Sequence, residues 1–237
     1  MDATLDAAKV AQYCSHMQQA FSHITTWVFD LDNTLYPPTD ALFDQIDVLM
    51  TKYVMDNLKL DHPTANKLRK DYWAGYGTTL AGLMEVHGLD PDPFLDAVHQ
   101  IDLSHVKADH GLRGAIDRLG GRKIVYTNGS REHALRVTKA RGLEGAFDAL
   151  YGVEHAGYAP KPKRIAYERV FALDGINPKT AALFEDDVRN LEIPHEMGMK
   201  TVLVGPYAAH PFIQYQTEDL TDFLSRLSDL SATAQSA

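Results

Sequence analysis

Trp27-Val28-Phe29-Asp30-Leu31-Asp32-Asn33-Thr34-Leu35-Tyr36 is an apolar run that closes on two acids, with a threonine two residues further on. The run predicts a buried strand over 26–31. Side chains alternate across a strand, so Asp30 and Asp32 are expected on the same side of the extended backbone. Two like charges side by side raise each other's cost of ionisation, and a core strand gains nothing from ending that way. A divalent cation or a reacting phosphate beside them supplies a reason. The bland alternative is a turn with capping acids, and the apolar strand ahead of the pair argues against it.

Downstream of this strand, residues 39–118 read as almost wholly helical, in pieces near 40–58, 63–74, 78–87 and 93–101. They are separated by Asp61-His62-Pro63, Gly75-Tyr76-Gly77 and Gly88-Leu89-Asp90-Pro91. Alternation then resumes. Strands are expected at 123–127, 181–184 and 201–204, with helices at 131–141, 163–173 and 188–197. Upstream, 4–22 reads as a helix, and the last dozen residues as a frayed tail. Apolar strands alternating with helices imply a parallel sheet covered on both faces. The expected fold is therefore α/β, a Rossmann-like parallel sheet core built from 1–37 and 112–237. The helices of 38–111 are inserted as a cap over the carboxyl ends of the strands, where ligands of open α/β sheets bind.

Composition narrows the partners. The 237 residues carry a net charge of −9, which disfavours a nucleic acid polymer or an anionic membrane surface. An acidic protein with an anionic substrate must gather positive charge locally, from a metal, a lysine and backbone N–H groups. The single cysteine excludes an intrachain disulfide framework and Cys-based zinc sites, and the eleven histidines show no paired ligand spacing. No run reaches membrane-spanning length and the N-terminus lacks signal-peptide character, so the cytoplasm is the expected location, for a monomer or homodimer.

Four segments are expected at strand ends facing one crevice. The first carries Asp30 and Asp32, and a carboxylate can attack phosphorus in line when a cation offsets its charge. In the second, Ile124-Val125-Tyr126-Thr127-Asn128-Gly129-Ser130, a strand ends in hydroxyl and amide donors at a helix N-terminus. Read alone, it is also an Asn-Gly turn with a serine N-cap. The third, Tyr158-Ala159-Pro160-Lys161-Pro162-Lys163, fixes a lysine between prolines, suited to a point charge held toward carboxylates and phosphate. The fourth, Ala182-Leu183-Phe184-Glu185-Asp186-Asp187, is a buried strand ending in three acids. Asp30, Asp186, the Asp32 backbone carbonyl and water make an oxygen-only set of the kind Mg²⁺ prefers. An acidic N-cap is the competing reading for Asp187.

Taken in this order, the four segments resemble the motifs of the haloacid dehalogenase (HAD) superfamily, most of whose members are phosphatases. The resemblance implies Asp30 as nucleophile and Asp32 as the acid that protonates the leaving oxygen and then activates water. It also implies Thr127 and the Asn128 backbone as phosphate ligands, Lys161 as the balancing cation, and Mg²⁺ held by Asp30, Asp32 and Asp186 with Glu185 or Asp187. Many members place another Asp five residues after the first metal Asp; Leu191 stands there in this chain. The long helical insertion is similar to the C1 cap type. Its segment Tyr72-Trp73-Ala74-Gly75-Tyr76-Gly77-Thr78-Thr79 and the run Asn128-Gly129-Ser130-Arg131-Glu132-His133-Ala134 resemble the pyrimidine 5′-nucleotidase branch. So do Leu-Tyr-Pro-Pro after the first motif and Phe94-Leu95-x-x-Val98-His99. That branch implies a nucleoside monophosphate substrate such as UMP or CMP, with Tyr76, Thr78, Thr79, Arg131 and His133 nearby as specificity residues. The alternatives are a sugar-phosphate or other phosphomonoester phosphatase, a phosphomutase, and a catalytically silent binding protein on the same fold. A dehalogenase needs no second Asp, so Asp32 argues against that reading.

Overall fold

A computed structural model describes residues 15–228. A helix over 15–21 leads into β1 (Thr26–Phe29), the centre of a six-stranded, all-parallel sheet. Its other strands are β2 (Arg122–Tyr126), β3 (Ala149–Tyr151), β4 (Ala181–Glu185), β5 (Lys200–Val204) and β6 (Tyr215–Thr217), in the order β3-β2-β1-β4-β5-β6. All four residues of β1 are buried, as a strand covered on both faces requires. Alternation divides them between two cores. Trp27 and Phe29 face a layer with Phe184 and Phe223, where the Phe29 and Phe184 rings stack at 4.8 Å. Val28 faces Ile124, Leu183, Tyr167 and Phe171 on the other side.

Between β1 and β2 lie α1 (Leu42–Leu58), α2 (His62–Tyr76), α3 (Thr79–His87), α4 (Pro91–Val98) and α5 (His110–Asp117). The first four form the helical insertion, and their breaks follow capping chemistry. The Asp61 side chain accepts from the Thr64 N–H with Pro63 in the first turn, and the Thr78 hydroxyl accepts from the Ala81 N–H. Asp90 caps α4 ahead of Pro91. Helix α5 starts before the boundary expected at 112 and packs on α9 (Leu220–Ser228), beneath the sheet rather than with the insertion. The remaining helices are α6 (Arg131–Ala140), α7 (Arg164–Asp174) and the short α8 (Glu192–Glu196).

Glycine sets the closest approach in the insertion. A Cβ on Gly82 would lie 2.3 Å from Cγ of Tyr72, so α3 can rest on α2 only without a side chain there. Gly82→Ala gains about 1 kcal/mol of helix propensity, but forcing the methyl into that contact costs about 1–3 kcal/mol. Net destabilisation is expected, and a melting curve at or above that of the wild type would contradict it.

Strands β3 and β6 were not anticipated. Each has three half-buried residues on a sheet edge, too short to show an apolar pattern. Strand β1 also stops two residues early. The chain leaves the sheet at Asp30 and winds into a turn in which the Thr34 and Leu35 N–H groups donate to the Leu31 carbonyl and Asn33 sits at φ 58°. Asparagine is among the residues that tolerate this left-handed backbone. Asp32 is therefore placed by a turn and not by strand alternation. The segment expected as one helix at 188–197 is a 3-10 turn, Val188–Asn190, followed by α8. The helix expected at 4–22 lies partly outside the described residues. Of the tail expected to fray, 226–228 belong to α9 and the rest falls outside them.

Candidate active site

Register decides what converges. Phe29 pairs with Val125 on one side and with Phe184 on the other, so the residues that follow the three strands emerge side by side. The Asp30 N–H donates to the Phe184 carbonyl at 2.9 Å, which seats Asp30 next to Glu185. Lys161 enters from the loop before α7. Its backbone N–H donates to Asn128 Oδ1 at 2.8 Å and its carbonyl accepts from Asn128 Nδ2 at 3.1 Å. The Asn128 side chain thus ties the second segment to the third.

From that position the Lys161 ammonium, 1 % exposed, donates to Asp30 Oδ1 at 2.7 Å, Glu185 Oε2 at 2.6 Å and the Tyr126 carbonyl at 3.1 Å. All three of its donors are used. Burial alone would discharge it, yet Asp30 and Glu185 hold its pKa well above the ordinary lysine range. Even with this cation the site is overloaded with negative charge. Burial, with Glu185 next, pushes the Asp30 carboxyl well above the usual carboxylate range, and burial with Glu185 and Asp30 pushes Asp186 up to about 9.

Asp30, Glu185 and Asp186 offer oxygen atoms that all lie within 4.8 Å of one another. Three hard oxygen donors crowded together are a donor set that suits Mg²⁺. Asn33 Nδ2 reaches Asp186 Oδ2 at 3.4 Å. Asp187 is directed elsewhere. It forms an ion pair with Arg189, 2.6 Å from Nη2, and caps the 3-10 turn through the Arg189 N–H. Leu191 is fully buried in the core.

The Asp32 carboxylate stands apart from this cluster. Its Oδ1 accepts from the Tyr36 hydroxyl at 2.7 Å and lies 3.1 Å from His133 Nε2. Burial pushes its pKa up, but His133, followed by the Tyr36 hydrogen bond, brings it below the usual value. Two carboxylates two residues apart thus sit in different surroundings, one against an ammonium and one against a tyrosine and a histidine. Thr127 is buried, and its Oγ1 accepts from the Gly129 N–H at 2.9 Å, which leaves the hydroxyl proton available to a ligand.

Asp30, Asp32, Thr127, Lys161, Glu185 and Asp186 line a cavity of about 680 Å³ between the sheet and the helical insertion. The insertion contributes Phe43, Met50, Trp73, Thr78, Phe94 and Val98, with Arg69 and Lys70 as cations. Arg69 makes a two-pronged pair with Asp47 at 2.7 and 3.0 Å. Arg189 spans the gap, its guanidinium 3.7 Å from the centroid of the Trp73 ring. Gly77 packs on the Pro160–Lys161 loop: a Cβ there would lie 3.4 Å from Cγ of Pro160.

The specificity residues expected on the insertion are placed differently. Tyr76 packs edge-on against Tyr72 and is not among the lining residues. Thr78 and Thr79 do line the cavity; the Thr78 hydroxyl accepts from the Ala81 N–H in capping α3 and keeps its own proton, whereas the Thr79 hydroxyl donates to the Arg69 carbonyl. Arg131 is exposed outside the cavity, and His133 is buried behind Asp32. Tyr36, His99, Arg69 and Arg189 were not assigned from sequence. Tyr36 had a local signal, four residues after Asp32 in a turn, and His99 closes the segment Phe94-Leu95-x-x-Val98-His99.

Residues 27–204 match the haloacid dehalogenase-like hydrolase family. Phosphate metabolism protein 8 of Saccharomyces cerevisiae is 26 % identical over 211 residues, covering 81 % of this chain and 64 % of that protein. The chain thus spans just under two thirds of this relative. Solved structures share the fold at low identity. The HAD phosphatase of Thermococcus onnurineus superposes with a TM-score of 0.59 at 14 % identity, over 86 % of this chain and 98 % of that one. The magnesium-bound HAD-hydrolase YfnB of Bacillus subtilis gives 0.56 at 14 %, over 86 % and 98 %. L-2-haloacid dehalogenase of Xanthobacter autotrophicus gives 0.54 at 16 %, over 87 % and 99 %. The match spans the central strand, the insertion and every segment that lines the cavity, and the chain belongs to the haloacid dehalogenase-like hydrolase family.

Proposed function

We propose that this hydrolase is a Mg²⁺-dependent phosphomonoesterase that works through an aspartyl-phosphate at Asp30. In this reading residues 38–111 are a cap over a core formed by 1–37 and 112–237. The observation that carries the reading is the division of labour between two neighbouring acids. Asp30 lies against an ammonium and two further carboxylates, whereas Asp32 is held by a tyrosine and a histidine outside that cluster. An Asp30 oxygen attacks phosphorus as the ester P–O bond breaks, and Asp32 gives its proton to the leaving oxygen. Asp32 then takes a proton from water, whose oxygen attacks the aspartyl-phosphate and releases inorganic phosphate, restoring Asp30. Thr127 and the Asn128 N–H bind phosphoryl oxygens, and Lys161 offsets the charge of Asp30. Mg²⁺, held by Asp30, Asp186 and Glu185, would lower the repulsion between the nucleophile and the phosphate.

A carbon–halogen bond releases halide without a proton, so a dehalogenase gives Asp32 nothing to do. An alkyl phosphate needs that proton. This favours an ester substrate over the haloacids named for some structural relatives.

For the leaving group we propose a small phosphorylated metabolite, with a pyrimidine nucleoside monophosphate as the first choice. The cavity can hold one, and the apolar walls at Phe43, Met50 and Phe94 suit a flat heterocycle. A panel of UMP, CMP, dUMP, AMP, GMP and sugar phosphates, each with Mg²⁺ and with EDTA, tests both levels. Mg²⁺-dependent release led by the pyrimidine nucleotides supports the whole reading. Release spread evenly, or led by sugars, keeps the chemistry and removes the nucleotide.

Mg²⁺ should also stabilise the fold, and more so at higher pH. Asp186 has its folded pKa raised to about 9, so the stability linked to its neutral form is present at low pH and lost as pH rises toward 9. The cation needs the charged form and offsets that loss. The increase in Tm on adding Mg²⁺ should therefore be larger at pH 8 than at pH 6. An equal increase at both would remove the cation from this cluster.

A further inference from the structure

We propose that Tyr36 and His133 are positioning residues that reserve one oxygen of Asp32 for the proton of the reaction, with His99 of the cap bracing His133. The proposal rests on the phosphomonoesterase reading and assigns His133 a role other than substrate binding.

The geometry is asymmetric. Tyr36 Oη at 2.7 Å and His133 Nε2 at 3.1 Å both address Oδ1 of Asp32. An ionised carboxylate can only accept, so Nε2 carries the hydrogen, and two donors then occupy Oδ1. The other oxygen, Oδ2, has no hydrogen-bond partner among the described residues, and Asp32 lines the cavity. A proton arriving on Asp32 settles on Oδ2, the oxygen left free for the ester and for water.

Neither donor can serve the substrate directly. Tyr36 and His133 are each 1 % exposed and neither borders the cavity. The His133 ring is held by Asp32 at Nε2 and by the His99 ring on its face. Its backbone N–H donates to Ser130 Oγ at 3.2 Å in the first turn of α6, and the same Oγ lies 3.1 Å from His99 Nδ1. The His99 ring stacks on it at 4.2 Å with an 11° interplanar angle. Arg136 in turn donates to the His99 carbonyl at 2.7 Å. Gly129 permits the stack, since a Cβ there would lie 3.2 Å from His133 Cδ2 and 3.3 Å from His99 Nε2. His99 closes the last turn of α4, so the cap itself touches the support of Asp32.

General-acid help matters in proportion to how badly the leaving group needs a proton. An alkoxide needs one and p-nitrophenolate does not, so the two substrates separate positioning of Asp32 from general damage. The quantity to compare is kcat/KM, which stops at phosphoryl transfer to Asp30. Three variants serve: Tyr36→Phe removes one oxygen, His133→Phe keeps a ring against His99 but no donor, and His133→Gln returns an N–H near the Nε2 position.

Tyr36→Phe and His133→Phe should each lower kcat/KM for the best nucleoside or glycerol phosphate by roughly 10–100-fold, with a much smaller fall for p-nitrophenyl phosphate. His133→Gln should recover most of the alkyl activity. Equal falls on both substrates, or no fall on either, would overturn the proposal. Asp32→Asn is the control for the underlying reading. If it leaves the alkyl-to-aryl ratio unchanged, Asp32 is not the acid and both readings fall. If it collapses the ratio and the Tyr36 and His133 variants do not, only the positioning assignment fails.

Discussion

Asp30→Asn should stop phosphate release while leaving the fold intact. An amide cannot form the aspartyl-phosphate, and losing a covalent nucleophile of this kind typically costs on the order of 10⁴-fold or more in turnover. The substitution keeps the side-chain volume at a position that is 5 % exposed between Phe184 and Lys161. It also removes one of three crowded carboxyls, so stability should hold or rise. The measurement is single-turnover phosphate release on a variant whose circular dichroism and melting curve match the wild type. Activity within about tenfold of the wild type would exclude Asp30 as the nucleophile, because no binding residue in the cavity could then be carrying the covalent step.

Lys161→Met should cost stability as well as activity. The ammonium is the cation between Asp30 and Glu185, and it sits where water does not reach. Removing one partner of a buried charge network leaves carboxylates uncompensated and costs about 3–5 kcal/mol. For a domain of this size that is a fall in Tm of roughly 6–20 °C. The sign with pH follows from the charges. Lys161 has its pKa raised above the unfolded value, so its contribution is present throughout the neutral range and is lost only at strongly alkaline pH. In the variant the orphaned carboxyls are relieved by protons, so the deficit should shrink from pH 8 to pH 5. A Tm within about 2 °C of the wild type at pH 8 would show that the buried pairing contributes little to the fold.

Much of this site was legible because its chemistry follows strand ends. A buried strand announces itself by continuous apolar residues, and what comes after it in a parallel sheet must lie on one edge. Asp30, Thr127 and Glu185-Asp186 follow β1, β2 and β4 in that way, and Lys161 is marked by its flanking prolines. The short edge strands carried no such signal, since three half-buried residues satisfy no periodicity. The insertion was readable as helices because caps and breaks are local. The direction of its side chains was not, and Tyr76 and Arg131 were expected in a cavity that neither reaches.

The sequence alone determined the α/β class, the helical insertion, and the four segments with acids, hydroxyl and lysine, because each depends on local propensity, capping or burial period. The tertiary structure decided how those acids divide their work. The turn after Phe29 takes Asp32 off the strand and hands it to Tyr36 and His133, a partner 101 residues away. Register brings Glu185 against Lys161, and Arg189 draws Asp187 aside. Such pairings are set by which elements lie side by side, and distance along the chain carries no record of them.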